Sequence, residues 1–361
     1  MPTSNLSTLF IPDISGFTRY IKETEKQHSN HIIRELISII ISEGKQHFEI
    51  AEVEGDAVFF YAQNKLYSDS HLITIAKNIY KQFHHHLENY EHKRICNCGA
   101  CSSANNLKLK FIVHAGEIDF IEIEGQKKPF GSPVIEIHRL LKNSIKQEEY
   151  ILFSNQLVLS PETVINGEDS FIDDVLGNIE FRYQLIDNWY SPQDEISMDL
   201  HTHHDLNISG IHDYPMKIED LHNFLINFDL RKYWNQDADQ LIYNHDEINH
   251  VGTEHRCIVK GKDLYFDSIK PADGGNYSYG EVLKNPKPFK YFESDFYLEP
   301  IDKANTRLSL NLKVDLDSWY QKLFKPVFKI AIKQKVESIL DQIDKGIIEF
   351  NQEEARERIK D

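Results

Sequence analysis

Between Trp189 and Asn207 the hydrophobic patterning of this chain stops, and that gap constrains the fold more than any single motif. The stretch SPQDEISMDLHTHHDLN, residues 191–207, is polar and carries neither the two-residue nor the 3.6-residue spacing of a packed element. A chain of 361 residues is about twice a typical domain, so residues 190–207 read as a linker between a domain at 1–189 and another at 208–361. Forty per cent apolar and 11% aromatic residues are enough for two cores. With 40 basic and 57 acidic residues the net charge of −17 repels a phosphate backbone, and no basic, aromatic-interleaved stripe offsets it. Nucleic acid is therefore not an expected partner. The Ile-rich stretch Ile32–Ile41 is too short to span a bilayer, and the first ten residues lack the basic start and apolar core of a signal peptide. Four cysteines do not make a disulfide framework in a chain of this size. The expectation is a cytoplasmic protein with no integral membrane segment.

Strand and helix signals alternate in the first domain. LSTLFIPDI (6–14) reads as a strand, and a helix is expected over His31–Gly44, capped by Ser29 or Asn30. Its Ile32, Ile33, Leu36, Ile37, Ile40 and Ile41 make one apolar stripe. Two short strands flank the Glu54-Gly55-Asp56 turn, a helix spans about 72–90, a strand 107–120 and a helix 134–141. YILFS and IEFRYQLI close the domain as strands. In the second domain a helical stretch at 218–234, a β-rich run from Gln240 to Val314 and a terminal helix over 318–350 are expected. Both halves read as α+β.

LFIPDISGFTRY is the most informative segment. An aspartate ending a buried strand, with Gly and Thr just beyond it, sets a carboxylate beside free backbone N–H groups. Magnesium prefers one or two carboxylates plus substrate phosphates, and a helix start suits the phosphates. Asp56, in the tight turn of EVEGDAVFF, is the natural second carboxylate, and two such aspartates could hold the metal pair of a phosphoryl or nucleotidyl transfer site. The bland alternative makes Asp13 a helix cap and Asp56 a turn residue.

Four motifs in order resemble the catalytic domain of class III nucleotidyl cyclases, over roughly residues 5–188. They are Phe10–Thr18 (one residue longer before the Asp than the family's Phe-x-Asp-Ile-x-Gly-Phe-Thr), Gly55-Asp56-Ala57, Ile112-Val113-His114-Ala115-Gly116, and the helix Gly131–Arg139. The resemblance implies a ferredoxin-like domain in which Asp13 and Asp56, with the Ile14 carbonyl, hold Mg²⁺ or Mn²⁺. Gly16, Phe17 and Thr18 would contact the phosphates of a nucleoside triphosphate. Glu52 would read the base, the guanylyl-type choice, and Arg139 would face the charge of the transition state. It also implies a head-to-tail homodimer, since family sites draw the aspartates from one subunit and the arginine helix from the other.

Several positions depart from that pattern. Ile135 stands where the family has an asparagine, and Lys128 where it has a second base-reading Asp or Cys. Lys128 could pair with Glu52 and close the base pocket. The late Lys-Gly-Lys segment has no counterpart, with Arg182 as a substitute. Two readings follow: a weak or divergent cyclase forming a 3′,5′-cyclic nucleotide, or a retired scaffold kept for dimerisation or nucleotide sensing.

An insertion outside that pattern, HHHLENYEHKRICNCGAC, places Cys96, Cys98 and Cys101 within six positions and His92 nearby. Four S and N donors suit a structural Zn²⁺. The alternative is a set of half-buried loop cysteines.

Residues 208–350 resemble the helix-grip fold of the START-like superfamily, through LRKYWNQDADQL, INHVGTEHRCIV, YFESDFYLEP leading to LSLNLKVDL, and the long terminal helix. That resemblance implies an apolar cavity for a small apolar or amphipathic ligand, with Trp234, Phe266, Tyr277, Tyr279, Tyr291, Phe296 and Trp319 as wall residues. A filled aromatic core is the alternative. From Gln321 to Lys345 six lysines face three acids, which reads as a solvated helix face rather than a membrane patch.

Overall fold

The chain is described by a computed structural model covering residues 5–191, 203–244, 248–271 and 274–357. Most of the expected linker, 192–202, lies outside the described residues. The contacts divide the chain into two units. One comprises Met1–Glu88 and Ser103–Asp194, the other Asn89–Ser102 and Glu195–Asp361, so the cysteine-bearing insertion folds with the second unit although it interrupts the first.

The first unit contains β1 (Ser7–Ser15), α1 (Phe17–Glu23), α2 (Lys26–Gly44), β2 (Glu49–Glu54), β3 (Ala57–Ala62) and α3 (Asp69–His92) as far as Glu88. After α4 (Gly99–Ser103) come β4 (Lys108–Gly116), β5 (Asp119–Ile123), β6 (Gln126–Phe130) and α5 (Ser132–Leu140). The unit ends with β7 (Tyr150–Ser154), β8 (Gly167–Asp173) and β9 (Gly177–Leu185). The sheet order is β2-β3-β1-β4-β7-β9-β8, with β1 antiparallel to both β3 and β4. Its first four strands, with the intervening helices, form the βαββαβ arrangement of ferredoxin-like folds.

Alternation along β1 assigns its two faces. Leu9 and Ile11 join Ile137 and Leu140 of α5 in one core. Phe10 points the other way and stacks between Phe48 and Phe111, at 5.2 and 5.7 Å. Helix α2 closes over that second core so tightly that a Cβ on Gly44 would sit 2.4 Å from the Phe60 ring. It begins at Lys26, ahead of the expected start, so Ser29 lies inside it and its hydroxyl donates back to the Lys26 carbonyl rather than capping. The expected strand 107–120 ends at Gly116, and Asp119–Phe130 forms a separate hairpin.

The second unit is built on β10 (Leu206–Tyr214), α6 (Ile218–Ile226), α7 (Arg231–Trp234), β11 (Gln240–Ile242), β12 (Glu254–Val259) and β13 (Lys262–Ile269). It continues with β14 (Ser278–Lys284), β15 (Phe289–Pro300), β16 (Thr306–Leu316), α8 (Trp319–Leu323) and α9 (Lys325–Glu357). The strands form one antiparallel sheet, β10-β16-β15-β14-β13-β12-β11, a meander with β10 added beside β16. Leu308, Leu310, Leu312 and Val314 alternate inward along β16, and Ile332, Val336, Leu340, Ile343 and Ile347 form the buried stripe of α9. Gly210 lets that helix approach β10: a Cβ there would lie 2.4 Å from Val336. The terminal helix breaks at Phe324, just before Pro326. Around the break Trp319, Tyr320, Leu323, Phe324, Val327 and Ile330 are all exposed. No helix among the described residues is long and apolar enough to cross a membrane.

Candidate functional site

The register of β1 brings the two aspartates of the first unit together. Asp13 faces Ala57 of β3 on one side and Lys110 of β4 on the other. By alternation it shares the α5-covered face with Leu9 and Ile11. Asp56 sits in the β2–β3 turn, which Gly55 closes with a φ of +68°, a conformation that favours glycine. The Ile14 N–H donates to the Asp56 carbonyl at 2.9 Å and pins the turn to β1. Gly16, with φ +87°, begins α1, and no side chain caps that helix, so Asp13 is not a helix cap. Phe17 is half-buried and Thr18 exposed just beyond.

Burial raises the Asp13 carboxyl above the usual range, and the Asp56 charge raises it further, against the pull of Lys110. Asp56 is also raised by burial, with its backbone hydrogen bond and Lys110 opposing. Two carboxylates held together and partly desolvated in this way call for a cation. Lys110 supplies part of one, its Nζ 3.3 Å from Asp13 Oδ1. Sequence reasoning missed this lysine because its relevance depends on the cross-strand register. Beside the turn lies a groove of about 360 Å³ lined by Phe17, Ile21, Asn30, Ile33, Arg34, Ile37 and Gly55.

Other expected groups have partners of their own. Lys128 Nζ lies 3.4 Å from Glu52 Oε2 across the surface of β6 and β2. Arg139 Nε is 3.1 Å from Asp173 Oδ2, and Ile135, one turn earlier on α5, is 50% exposed. Arg182 donates to the Leu157 carbonyl at 2.8 Å, which ties it to a loop. His114 is buried, its pKa pushed down to about 4 by desolvation, and its Nδ1 lies 2.9 Å from Ser154 Oγ.

The interior of the second unit is less apolar than expected. Arg231 of α7 meets Glu281 of β14 in a bidentate pair, with Tyr279 donating to the same carboxylate, and all three are buried. Burial alone would raise Glu281, but the Arg231 charge, His255 and these hydrogen bonds bring it down to about 2. His255 Nε2 lies 3.5 Å from Glu281 Oε1, and neither ring nitrogen of His255 makes a hydrogen bond. Of the expected wall residues, Trp234, Tyr279 and Phe296 are buried and pack on one another at 5.9 Å. Phe266 stacks on His255 and Tyr277 meets His222 edge-on, while the Tyr291 hydroxyl donates to Glu293. Trp319 does not belong with them: it opens α8 with 78% of its surface exposed, because the chain has already left the sheet there.

Residues 33–150 match the model of a family described as a protein of unknown function (DUF2652). The chain is 27% identical over 123 residues to the uncharacterized protein Rv2561/Rv2562 of Mycobacterium tuberculosis, covering 34% of this chain and 56% of that protein. It thus spans about half the length of that curated relative. Similar solved structures include guanylyl cyclase domains and START-superfamily proteins. The guanylyl cyclase Cya2 is 14% identical with a TM-score of 0.40, over 49% of this chain and 90% of that one. The guanylate cyclase domain of RhGC from Catenaria anguillulae, solved with GTP, is 14% identical with a TM-score of 0.38, over 50% and 95%. A START superfamily protein from Mycobacterium smegmatis is 16% identical with a TM-score of 0.32, over 38% and 94%.

Proposed function

We propose that the first unit is a nucleotide sensor that binds a metal–nucleoside triphosphate and turns it over slowly or not at all, and that the second unit binds a small amphipathic molecule. The convergence of Asp13 and Asp56, tied by the Ile14–Asp56 hydrogen bond, carries this reading. Asp13, Asp56 and the Ile14 carbonyl would hold Mg²⁺ or Mn²⁺, and Gly16, Phe17 and Thr18 would meet the phosphates. When bound, the metal would neutralise phosphate charge and orient the triphosphate. Slow turnover is favoured by three features of this chain. Ile135 offers no hydrogen bond, Arg139 is engaged by Asp173, and the Lys128–Glu52 pair occupies the base-reading positions. The homodimer belongs to the same reading, as the arrangement that would bring Arg139 of one copy to the aspartates of another. In the second unit the polar cluster of Arg231, Glu281 and His255 favours an amphipathic ligand over a purely apolar one.

Titration calorimetry with the four nucleoside triphosphates, with and without Mg²⁺ or Mn²⁺, tests the sensor. Metal-dependent binding is expected in the parent and is lost in Asp13→Ala and Asp56→Ala. Binding that persists in both variants refutes the site. If Lys110 replaces the metal instead, the parent shows no metal dependence and Lys110→Met acquires it. Turnover is tested separately. A missing transition-state donor costs on the order of 10²–10³ in rate, so Ile135→Asn with Lys128→Cys should raise cyclic nucleotide formation by a comparable factor. An unchanged rate with intact binding leaves sensing alone.

A further inference from the structure

The insertion is anchored within the second unit before its cysteines begin. Arg94 forms an antiparallel bridge with His250, and the Val251 N–H donates to the Lys93 carbonyl at 2.8 Å. Ile95 and Ala100 are then fully buried, in a segment that carries three free thiols. Cys96 and Cys101 are buried and Cys98 is half-buried, with all three sulfurs within 4.8 Å of one another. Backbone amides point at two of them: the Cys98 N–H donates to Cys96 Sγ at 3.5 Å and the Cys101 N–H to Cys98 Sγ at 3.4 Å. Amides directed at sulfur stabilise the thiolate form, the form that binds metal. Without a cation the crowding works the other way. Hydrogen bonds from Cys96 and Cys98, then burial, hold the Cys101 thiol well above its usual range.

Zinc–sulfur bonds of about 2.3 Å in a tetrahedron place sulfurs about 3.8 Å apart. The three thiols need to draw in by roughly 1 Å at most to reach that spacing. We propose that Cys96, Cys98 and Cys101 bind one zinc ion as thiolates, stapling residues 93–101 within the second unit. The Cys-x-Cys-x-x-Cys run supplies three ligands, and a nitrogen or oxygen donor completes the tetrahedron. His92, expected among the ligands, is exposed at the end of α3 and is not among the donors within that distance. The site is independent of the nucleotide reading and survives its failure.

Full-length protein stripped of metal and kept reduced should take up one Zn²⁺ per chain. Loading with Co²⁺ should give a sulfur-to-cobalt charge-transfer band. Cys96→Ser, Cys98→Ser and Cys101→Ser should each weaken Zn²⁺ by more than about 100-fold, beyond the cost of losing an outer-shell partner. Cys257→Ser, on β12 outside the cluster, should leave stoichiometry unchanged. Should a cysteine variant fail to fold, alkylation of the parent decides the matter: zinc should protect three thiols from iodoacetamide and a chelator should expose them. No uptake of zinc, or alkylation rates indifferent to it, overturns the proposal. So does air oxidation to a disulfide that added zinc does not slow.

Discussion

Replacing Arg231 with alanine should destabilise the second unit by about 3–5 kcal/mol, the usual cost of leaving one member of a buried ion pair without its partner. The geometry places this substitution at the severe end. Glu281 would keep the Tyr279 hydrogen bond but lose both guanidinium contacts, and it is buried. Arg231 also packs its guanidinium 4.6 Å over the Trp234 ring, so indole fluorescence reports the loss directly. Removing both charges together behaves differently. Arg231→Met with Glu281→Leu should recover most of the stability, because an apolar pair of similar volume avoids desolvating two ions. Urea midpoints for the single and double variants check this. A single variant that costs less than about 1 kcal/mol would place the pair in solvent instead.

Acid should destabilise both units between pH 6.5 and 4 through their buried histidines. Burial lowers His222 and His255 of the second unit, and His114 of the first, from 6.5 to about 4. In each case the unfolded chain takes up a proton at a pH where the folded one does not. The stability is therefore fully present above pH 6.5 and is lost progressively as pH falls toward 4. Each histidine accounts for roughly 3 kcal/mol across that window. Glu281, held at about 2, stays ionised throughout and does not offset the loss, whereas Asp295 of β15, raised to about 7 by burial, takes up a proton in the same window and offsets part of it in the second unit. Urea midpoints at pH 7.5, 6, 5 and 4.5 should fall steeply, and His255→Phe should flatten the profile of the second unit. A flat profile in the parent would mean that these rings reach solvent.

Much of this architecture can be read from patterning. The alternation of LFIPDI assigns Leu9 and Ile11 to one face and Phe10 to the other, and the Glu-Gly-Asp turn announces a hairpin. The inward alternation of LSLNLKVDL is equally plain. What escapes is whatever depends on pairing between distant segments. Lys110 acquires meaning only when β4 lies in register against β1. Glu281 stands on the same face of β14 as Tyr279, so a buried carboxylate could have been inferred from alternation alone, but its partner Arg231 lies 50 residues away on a short helix. Strand β10 begins inside the segment taken as linker, since a single inward Leu206 beside so many polar residues gives no periodic signal. The cysteine cluster is visible in the spacing, whereas His92, close in sequence at the end of α3, is not among the donors that gather there.

The interruption of the first unit by residues 89–102 decides how this protein can be dissected. A scissor cut in the polar stretch near residue 194 does not yield two self-sufficient pieces. The C-terminal fragment would lack the Lys93 carbonyl that accepts from Val251 and the Arg94 backbone that bridges to His250. The N-terminal fragment would carry residues 89–102, with Ile95, Cys96 and Cys101, without the rest of the unit they fold with. The halves are thus not interchangeable modules. Transplanting the C-terminal one into another chain would require grafting the loop as well, and gene fusions between relatives should preserve both segments or neither.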